Sequence, residues 1–176
     1  MVGPRLLAAL PHPVAVMEPI DLYGLDYIGL FNLRSRRGYR YVIIGVEYFS
    51  RVVDGEPLLE ATAVASFKFL SRVARLLGWP LATYTDNRSH FRGDDFTYPC
   101  SQVGIKNIWA PVTSPWSVGL SERMVQIVIA ALRAIIVTGL LNVLNWDLYI
   151  PAILKSINTR RIERTGFSPF EILMGF

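Results

Sequence analysis

The stretches Tyr-Gly-Leu-Asp-Tyr-Ile-Gly-Leu-Phe (residues 23–31) and Tyr-Arg-Tyr-Val-Ile-Ile-Gly-Val-Glu-Tyr-Phe (residues 39–49) are dense in β-branched and aromatic side chains. Such side chains suit a pleated, buried surface, and the turn-prone run from Asn32 to Gly38 lies between them, so the pair predicts a β-hairpin. Residues 51–58 can add a third strand. From residue 61 to 77 the apolar positions follow helical spacing, and Gly78-Trp79-Pro80 stops the pattern, which predicts an amphipathic helix. Short strands follow at 81–85 and 105–110, then long helices at about 120–138 and 145–160. Three antiparallel strands, then alternating helix and strand, then helices predict a mixed α/β sheet. No repeat or low-complexity linker divides the chain. Residues 1–17 read as a loose lead-in, and 18–176 as one domain.

Residues 124–144, Met-Val-Gln-Ile-Val-Ile-Ala-Ala-Leu-Arg-Ala-Ile-Ile-Val-Thr-Gly-Leu-Leu-Asn-Val-Leu, are long and apolar enough to raise a membrane span, with Arg133 their only charge. Gln126, Arg133 and Asn142 interrupt the run, Glu122 and Arg123 open it, and Thr138-Gly139 reads as a helix end. The favoured reading is therefore a helix buried on nearly all sides, with no membrane partner. The apolar run at the N-terminus ends at Pro11, too soon for a signal peptide.

Composition narrows the chemistry. The 176 residues are 52% hydrophobic and 18% charged, the balance of a chain with one packed core. The net charge is +4, and arginine supplies 15 of the 18 basic residues. Its planar fork suits phosphate and carboxylate, so a nucleic-acid partner is allowed without being required. A single cysteine, Cys100, excludes an internal disulfide. With only His12 and His90 beside it, a self-contained Cys/His zinc site is excluded too. Chemistry must come from carboxylates, hydroxyls or added metal.

Three carboxylates occupy unusual places. Asp26 lies mid-strand between Leu25 and Tyr27, Asp86 just past a strand end, and Glu122 at the opening of the long apolar helix. Singly, each has an ordinary explanation: an exposed strand edge, an Asx-turn, or a favourable charge in a first helical turn. Jointly, a strand centre, a strand end and a helix start can converge at one edge of a sheet. Converging carboxylates repel one another, and a hard divalent cation such as Mg²⁺ removes that penalty. Two such ions can clamp the attacking and leaving oxygens of a phosphodiester.

The series resembles the catalytic core of retroviral and long-terminal-repeat retrotransposon integrases, in the ribonuclease-H-like superfamily. That family carries two aspartates and a glutamate, the last two separated by 35 residues, and here 122 − 86 − 1 = 35. Supporting segments run in the family's order. Leu25-Asp26-Tyr27-Ile28-Gly29 resembles the first catalytic strand, and Arg37-Gly38-Tyr39-Arg40-Tyr41 with Glu47-Tyr48-Phe49-Ser50-Arg51 the next hairpin. Trp79-Pro80 precedes Thr85-Asp86-Asn87-Arg88-Ser89-His90-Phe91, and Gly104-Ile105-Lys106 leads through Pro111 to Ser114-Pro115-Trp116-Ser117-Val118-Gly119-Leu120-Ser121-Glu122-Arg123. Asn158 and Thr165-Gly166-Phe167-Ser168-Pro169-Phe170-Glu171-Ile172-Leu173 look like the tail of gypsy-type polyproteins.

The resemblance implies that 18–176 is a mixed five-stranded sheet, three antiparallel strands then parallel ones, with helices on both faces. It implies two Mg²⁺ ions (Mn²⁺ can substitute) held by Asp26, Asp86 and Glu122. The implied reaction is attack by water or a 3′-hydroxyl on a DNA phosphodiester, covering 3′-end processing and strand transfer. Asn87, Arg88, Ser114, Arg123, Gln126 and Arg133 are the implied DNA contacts. Element ends and target DNA are the implied partners, with a homodimer or higher homo-oligomer and a nuclear location. At 3.6 residues per turn Glu122, Gln126 and Arg133 share a face, so a thin polar stripe runs along that helix. Its apolar remainder suits a dimer contact.

Departures from the family pattern open a second reading, a catalytically silent nucleic-acid-binding or oligomerisation module. Arg88 stands where the family usually has glycine, and it can either contact phosphate or pair with the carboxylates and displace metal. Trp116 and Val118 stand where Gln and Asn are common, which leaves fewer polar groups for DNA. The family's upstream zinc module and downstream barrel are expected to be missing, leaving a core alone: a fragment, a degraded element or a host-retained copy. Arg34, Arg36, Arg37 and Arg40 are open to two readings, a solvated hairpin tip or a phosphate patch. Arg160, Arg161 and Arg164 suit a helix C-terminus. Asp94-Asp95 are expected to cap a short helix, His90 to be structural, and Cys100 to be a buried small hydrophobe.

Overall fold

The structure is a computed structural model that describes residues 16, 18–110, 119–138 and 142–175. Three strands, β1 (Leu22–Ile28), β2 (Tyr41–Glu47) and β3 (Val53–Leu58), form an antiparallel meander. Strands β4 (Ala82–Thr85) and β5 (Lys106–Trp109) extend it in parallel on the other side of β1, giving the order β3-β2-β1-β4-β5. Parallel neighbours need a crossover. Helix α1 (Ala63–Leu77) supplies the link from β3 to β4, while α2 (Ser89–Arg92) and α3 (Asp94–Gln102) link β4 to β5. The chain then runs through α4 (Gly119–Val137), a 3-10 segment (Val143–Tyr149), α5 (Ile150–Thr159) and α6 (Pro169–Met174). The expected mixed five-stranded sheet with helices on both faces is what the chain forms.

Alternation along the central strands divides the core. Val42, Ile44 and Val46 of β2 and Ile28 of β1 pack with Val125, Val128 and Leu132 of α4 and Ile150, Ile153 and Leu154 of α5. Ile43, Tyr23, Leu25 and Tyr27 point the other way, onto Phe69, Leu70 and Val73 of α1 and Phe96 and Cys100 of α3. Every one of these side chains is buried, and burial of each is worth about 1.5–3 kcal/mol for the larger apolar ones. Cys100 is one of them, with its thiol pushed up to about 12 by burial.

Two buried polar groups replace hydrogen bonds the sheet cannot make. Asn158 of α5 accepts from Val53 N (2.8 Å) and donates to Val53 O (2.7 Å), doing for edge strand β3 what a further strand would do. Glu47 is fully buried at the end of β2. Its Oε1 accepts from Ile20 N and Phe49 N, and its Oε2 from Ser50 N and Ser50 Oγ. Four donors thus organise the turn into β3 around one carboxylate.

Several local expectations change. The first strand stops at Ile28 instead of reaching 31, because Gly29 turns the backbone at φ 130° and Phe31 N donates to Arg40 O. The helix expected at 145–160 divides. Asn142 caps a 3-10 turn by accepting from Leu144 N, Asn145 leaves helical geometry, and Pro151 opens α5. Proline suits that first turn, where no intrahelical donor is needed. Helix α6 was not expected, yet Ser168 and Glu171 form a reciprocal capping box at its start. Asp94 and Asp95 do not cap α3: Gly93 holds that position, and the two carboxylates sit in the first turn.

The largest correction concerns α4. It is buried along one stripe only, Ser121, Val125, Val128 and Leu132. Ile127, Ala130, Ala134 and Val137 are exposed. The sheet covers one side of the helix and α5 part of another, and no third described layer lies beyond. No helix among the described residues is long and apolar enough to cross a membrane.

Candidate metal and nucleic-acid site

Strand register brings the two aspartates together. β1 and β4 run parallel with Leu25 opposite Thr85, so the next position on each strand holds Asp26 and Asp86. Asp26, two residues before the end of β1, therefore lies beside Asp86, the first residue past β4, near the edge where open α/β sheets form their crevices. Asp26 projects to the α4 face, in the alternation Leu22, Gly24, Asp26, Ile28.

Glycine at position 24 seats the third carboxylate. A Cβ built there would collide with Ser121 Oγ and with the Tyr48 ring. The absence of a side chain lets the first turn of α4 lie against β1, and Tyr48 Oη and Ser121 Oγ hydrogen-bond at 3.0 Å to hold it. Glu122 follows Ser121 directly, exposed at the same edge.

The electrostatics of Asp26 register this convergence. Its carboxyl is pushed up to about 6, first by burial and further by the negative charges of Asp86 and Glu122. The Tyr27 N–H, donating to Asp26 Oδ1 at 2.7 Å, and the Arg88 cation oppose the shift. Repulsion among carboxylates at a sheet edge is the condition a hard cation relieves, so the donor set suits such an ion in kind. Their arrangement differs from a closed cage. Among the described residues no group of three His, Cys, Asp or Glu side chains is placed to hold one metal ion.

Arg88 lies against one of these carboxylates. Its Nε lies 2.9 Å from Asp86 Oδ2, and its backbone N–H donates to Asp86 Oδ1 at 3.1 Å. Of the two contacts the sequence leaves open for Arg88, the structure shows the pairing with a carboxylate. Behind it His90 packs edge-on against Tyr27, with ring centroids 4.5 Å apart, and against Phe91. Burial, with some help from Arg88, lowers its pKa against the pull of Asp86. His90 is a packed ring in this setting.

Of the other candidate contacts, Asn87 is exposed beside Asp86. Arg123, Gln126 and Arg133 are exposed on α4, and Gln126 and Arg133 continue the face of Glu122. Ser114, Trp116 and Val118 lie outside the described residues. The hairpin arginines divide. Arg37 Nε binds Asp147 Oδ2 at 2.6 Å, and Asp147 is 2% exposed, so this arginine neutralises a buried carboxylate; Arg34 and Arg36 remain exposed. Arg161 approaches Glu171 at 3.8 Å.

Sequence reasoning passed over Gly24, Tyr48 and Ser121, the contact that positions Glu122. A glycine inside a strongly apolar strand was the available signal, since it often marks close approach of another backbone. Asp147 carried no such signal, because its partner is 110 residues away.

The strand order, antiparallel then parallel, is that of a ribonuclease-H-like fold. Within that class the fold is that of retroviral integrase catalytic cores. A simian T-cell lymphotropic virus intasome, solved in complex with the PP2A regulatory subunit B56 gamma, contains a chain that matches with a TM-score of 0.77 at 19% identity. The match covers 92% of this chain and 57% of that one, so this chain spans just over half its length. The HTLV-2 integrase catalytic core domain, solved in complex with magnesium in a trimeric form, matches with a TM-score of 0.69 at 22% identity over 88% of this chain and 96% of that one. No family model matches the sequence.

Proposed function

We propose that this chain is an integrase-type polynucleotidyl transferase core in which Asp26, Asp86 and Glu122 hold divalent cations, Mg²⁺ or Mn²⁺, against a DNA phosphodiester. The observation that carries the reading is the register that sets Asp26 beside Asp86, with Asp26 held above its ordinary range by burial and by the negative charges of Asp86 and Glu122. Likeness of fold to a core domain solved with magnesium supports it. When bound, the ions would lower the pKa of an attacking water or 3′-hydroxyl and neutralise the leaving oxygen.

The chain's own residues supply the frame. Gly24 and the Tyr48–Ser121 hydrogen bond set where Glu122 begins relative to Asp26. Asn87, Arg88 and the α4 stripe of Gln126 and Arg133, with Arg123 beside it, offer polar and cationic groups for the phosphate backbone. DNA ends and target DNA are the proposed substrates, processed and joined in the nucleus by a homo-oligomer that covers the apolar face of α4.

One observation favours the second reading, a silent binding or oligomerisation module: Asp86 is engaged by Arg88 at both oxygens. A branched oligonucleotide that mimics a strand-transfer product separates the two when incubated with the chain in Mg²⁺ or Mn²⁺. Cleavage that requires the metal and disappears in Asp86→Asn and Glu122→Gln is expected. Equal cleavage by those variants, or none from folded wild type and Arg88→Gly alike, would sink the enzymatic reading.

A further inference from the structure

We propose that Arg88 is a latch on the cation site: in the DNA-free protein it occupies Asp86, and a DNA phosphate that draws the guanidinium away releases Asp86 to a divalent cation. The inference rests on the site reading above and adds a regulatory link between its two ligands. The Asp86 oxygen that accepts from Arg88 Nε faces a cation already in place. A divalent cation approaching that oxygen meets the positive charge of the guanidinium already there. Asp86 Oδ1 accepts the Arg88 backbone N–H, so the carboxylate is oriented by the very residue whose side chain blocks it.

The side chain is free to leave. It is 61% exposed, against 29% for Asp86. Arg88 occupies the N-cap position of α2 with extended backbone and makes no side-chain cap there, so local structure does not depend on its guanidinium. An exposed ion pair of this kind shifts an equilibrium by about fivefold at most. Phosphate competes well for it, because the guanidinium fork binds two phosphate oxygens at once. By linkage, cation and DNA must then strengthen each other's binding by the same factor. Glycine, the residue expected here from the resemblance, would make no such side-chain contact.

Calorimetric titration of the full chain with Mn²⁺ alone tests the latch without asking for turnover. Arg88→Ala is expected to bind Mn²⁺ about three- to fivefold more tightly than wild type. Arg92→Gln serves as the charge-matched control; its guanidinium lies over the Trp109 ring at 5.0 Å, and it is expected to match wild type. Mn²⁺ is also expected to enhance binding of a fluorescent DNA duplex more in wild type than in Arg88→Ala. Equal Mn²⁺ affinity in wild type and Arg88→Ala would overturn the latch, as would equal tightening by Arg92→Gln, which would mean a general charge effect. Asp86→Asn distinguishes failure of the underlying site: unchanged Mn²⁺ binding in that variant, or none in any variant, overturns the site reading and the latch with it.

Discussion

Asp26 shows how a single carboxylate can trade stability for a ligand. Its folded pKa of about 6 lies above the ordinary 3.8, so between those values the folded chain keeps a proton that the unfolded chain releases. Metal-free stability must therefore fall as pH rises through that window, by about 3 kcal/mol. Asp26→Asn removes the ionisation. Thermal melts in chelator are expected to place its Tm above wild type well above the Asp26 midpoint, with the two converging below pH about 4. Glu47 makes the opposite case. Its four accepted hydrogen bonds are satisfied only by a carboxylate, and Glu47→Gln turns one acceptor into a donor facing donors. Chemical denaturation is expected to show a loss of about 1–3 kcal/mol.

At the scale of elements, the site depends on how α4 meets β1. Gly24→Ala forces Ser121 and Tyr48 apart, at a cost of about 1–3 kcal/mol for overpacking. Because Glu122 follows Ser121, the same change is expected to weaken Mn²⁺ binding as read by calorimetry. Tyr48→Phe removes one hydrogen bond of that contact, worth about 1 kcal/mol, and keeps the ring, so its Mn²⁺ affinity is expected to fall, but less than that of Gly24→Ala. Elements were read well from the sequence where periodicity was long and local: α1 and α4 were placed to within a residue or two. The helix expected over 145–160 failed because Asn142, Asn145 and Pro151 each act locally, and an averaged apolar pattern does not register caps and kinks.

The whole molecule is a sheet with two unequal covers. α1 and α3 close one face, while α4 and α5 close the other and leave Ile127, Ala134 and Val137 of α4 in solvent. If the proposed homo-oligomer uses this face, Ile127→Glu should lower the mass measured by light scattering to that of one chain while leaving the melting curve close to wild type. A monomeric wild type would rule out that use of the face. The sequence shows α4 as an apolar run, which reads as buried on nearly all sides. Composition counts apolar residues, and only the arrangement of neighbours says how many sides they cover.

By itself the sequence determined the antiparallel meander, the order of the strands along the chain and the places of α1 and α4, and it marked Asp26, Asp86 and Glu122 as candidates. These follow from short-range periodicity and spacing, which every chain segment carries with it. Tertiary structure alone decided that Arg88 binds Asp86, that Gly24 makes room for α4, that Arg37 answers Asp147 across 110 residues, and which side of α4 is covered. Each of those depends on what lies opposite in space, and separation along the chain sets no rule for that.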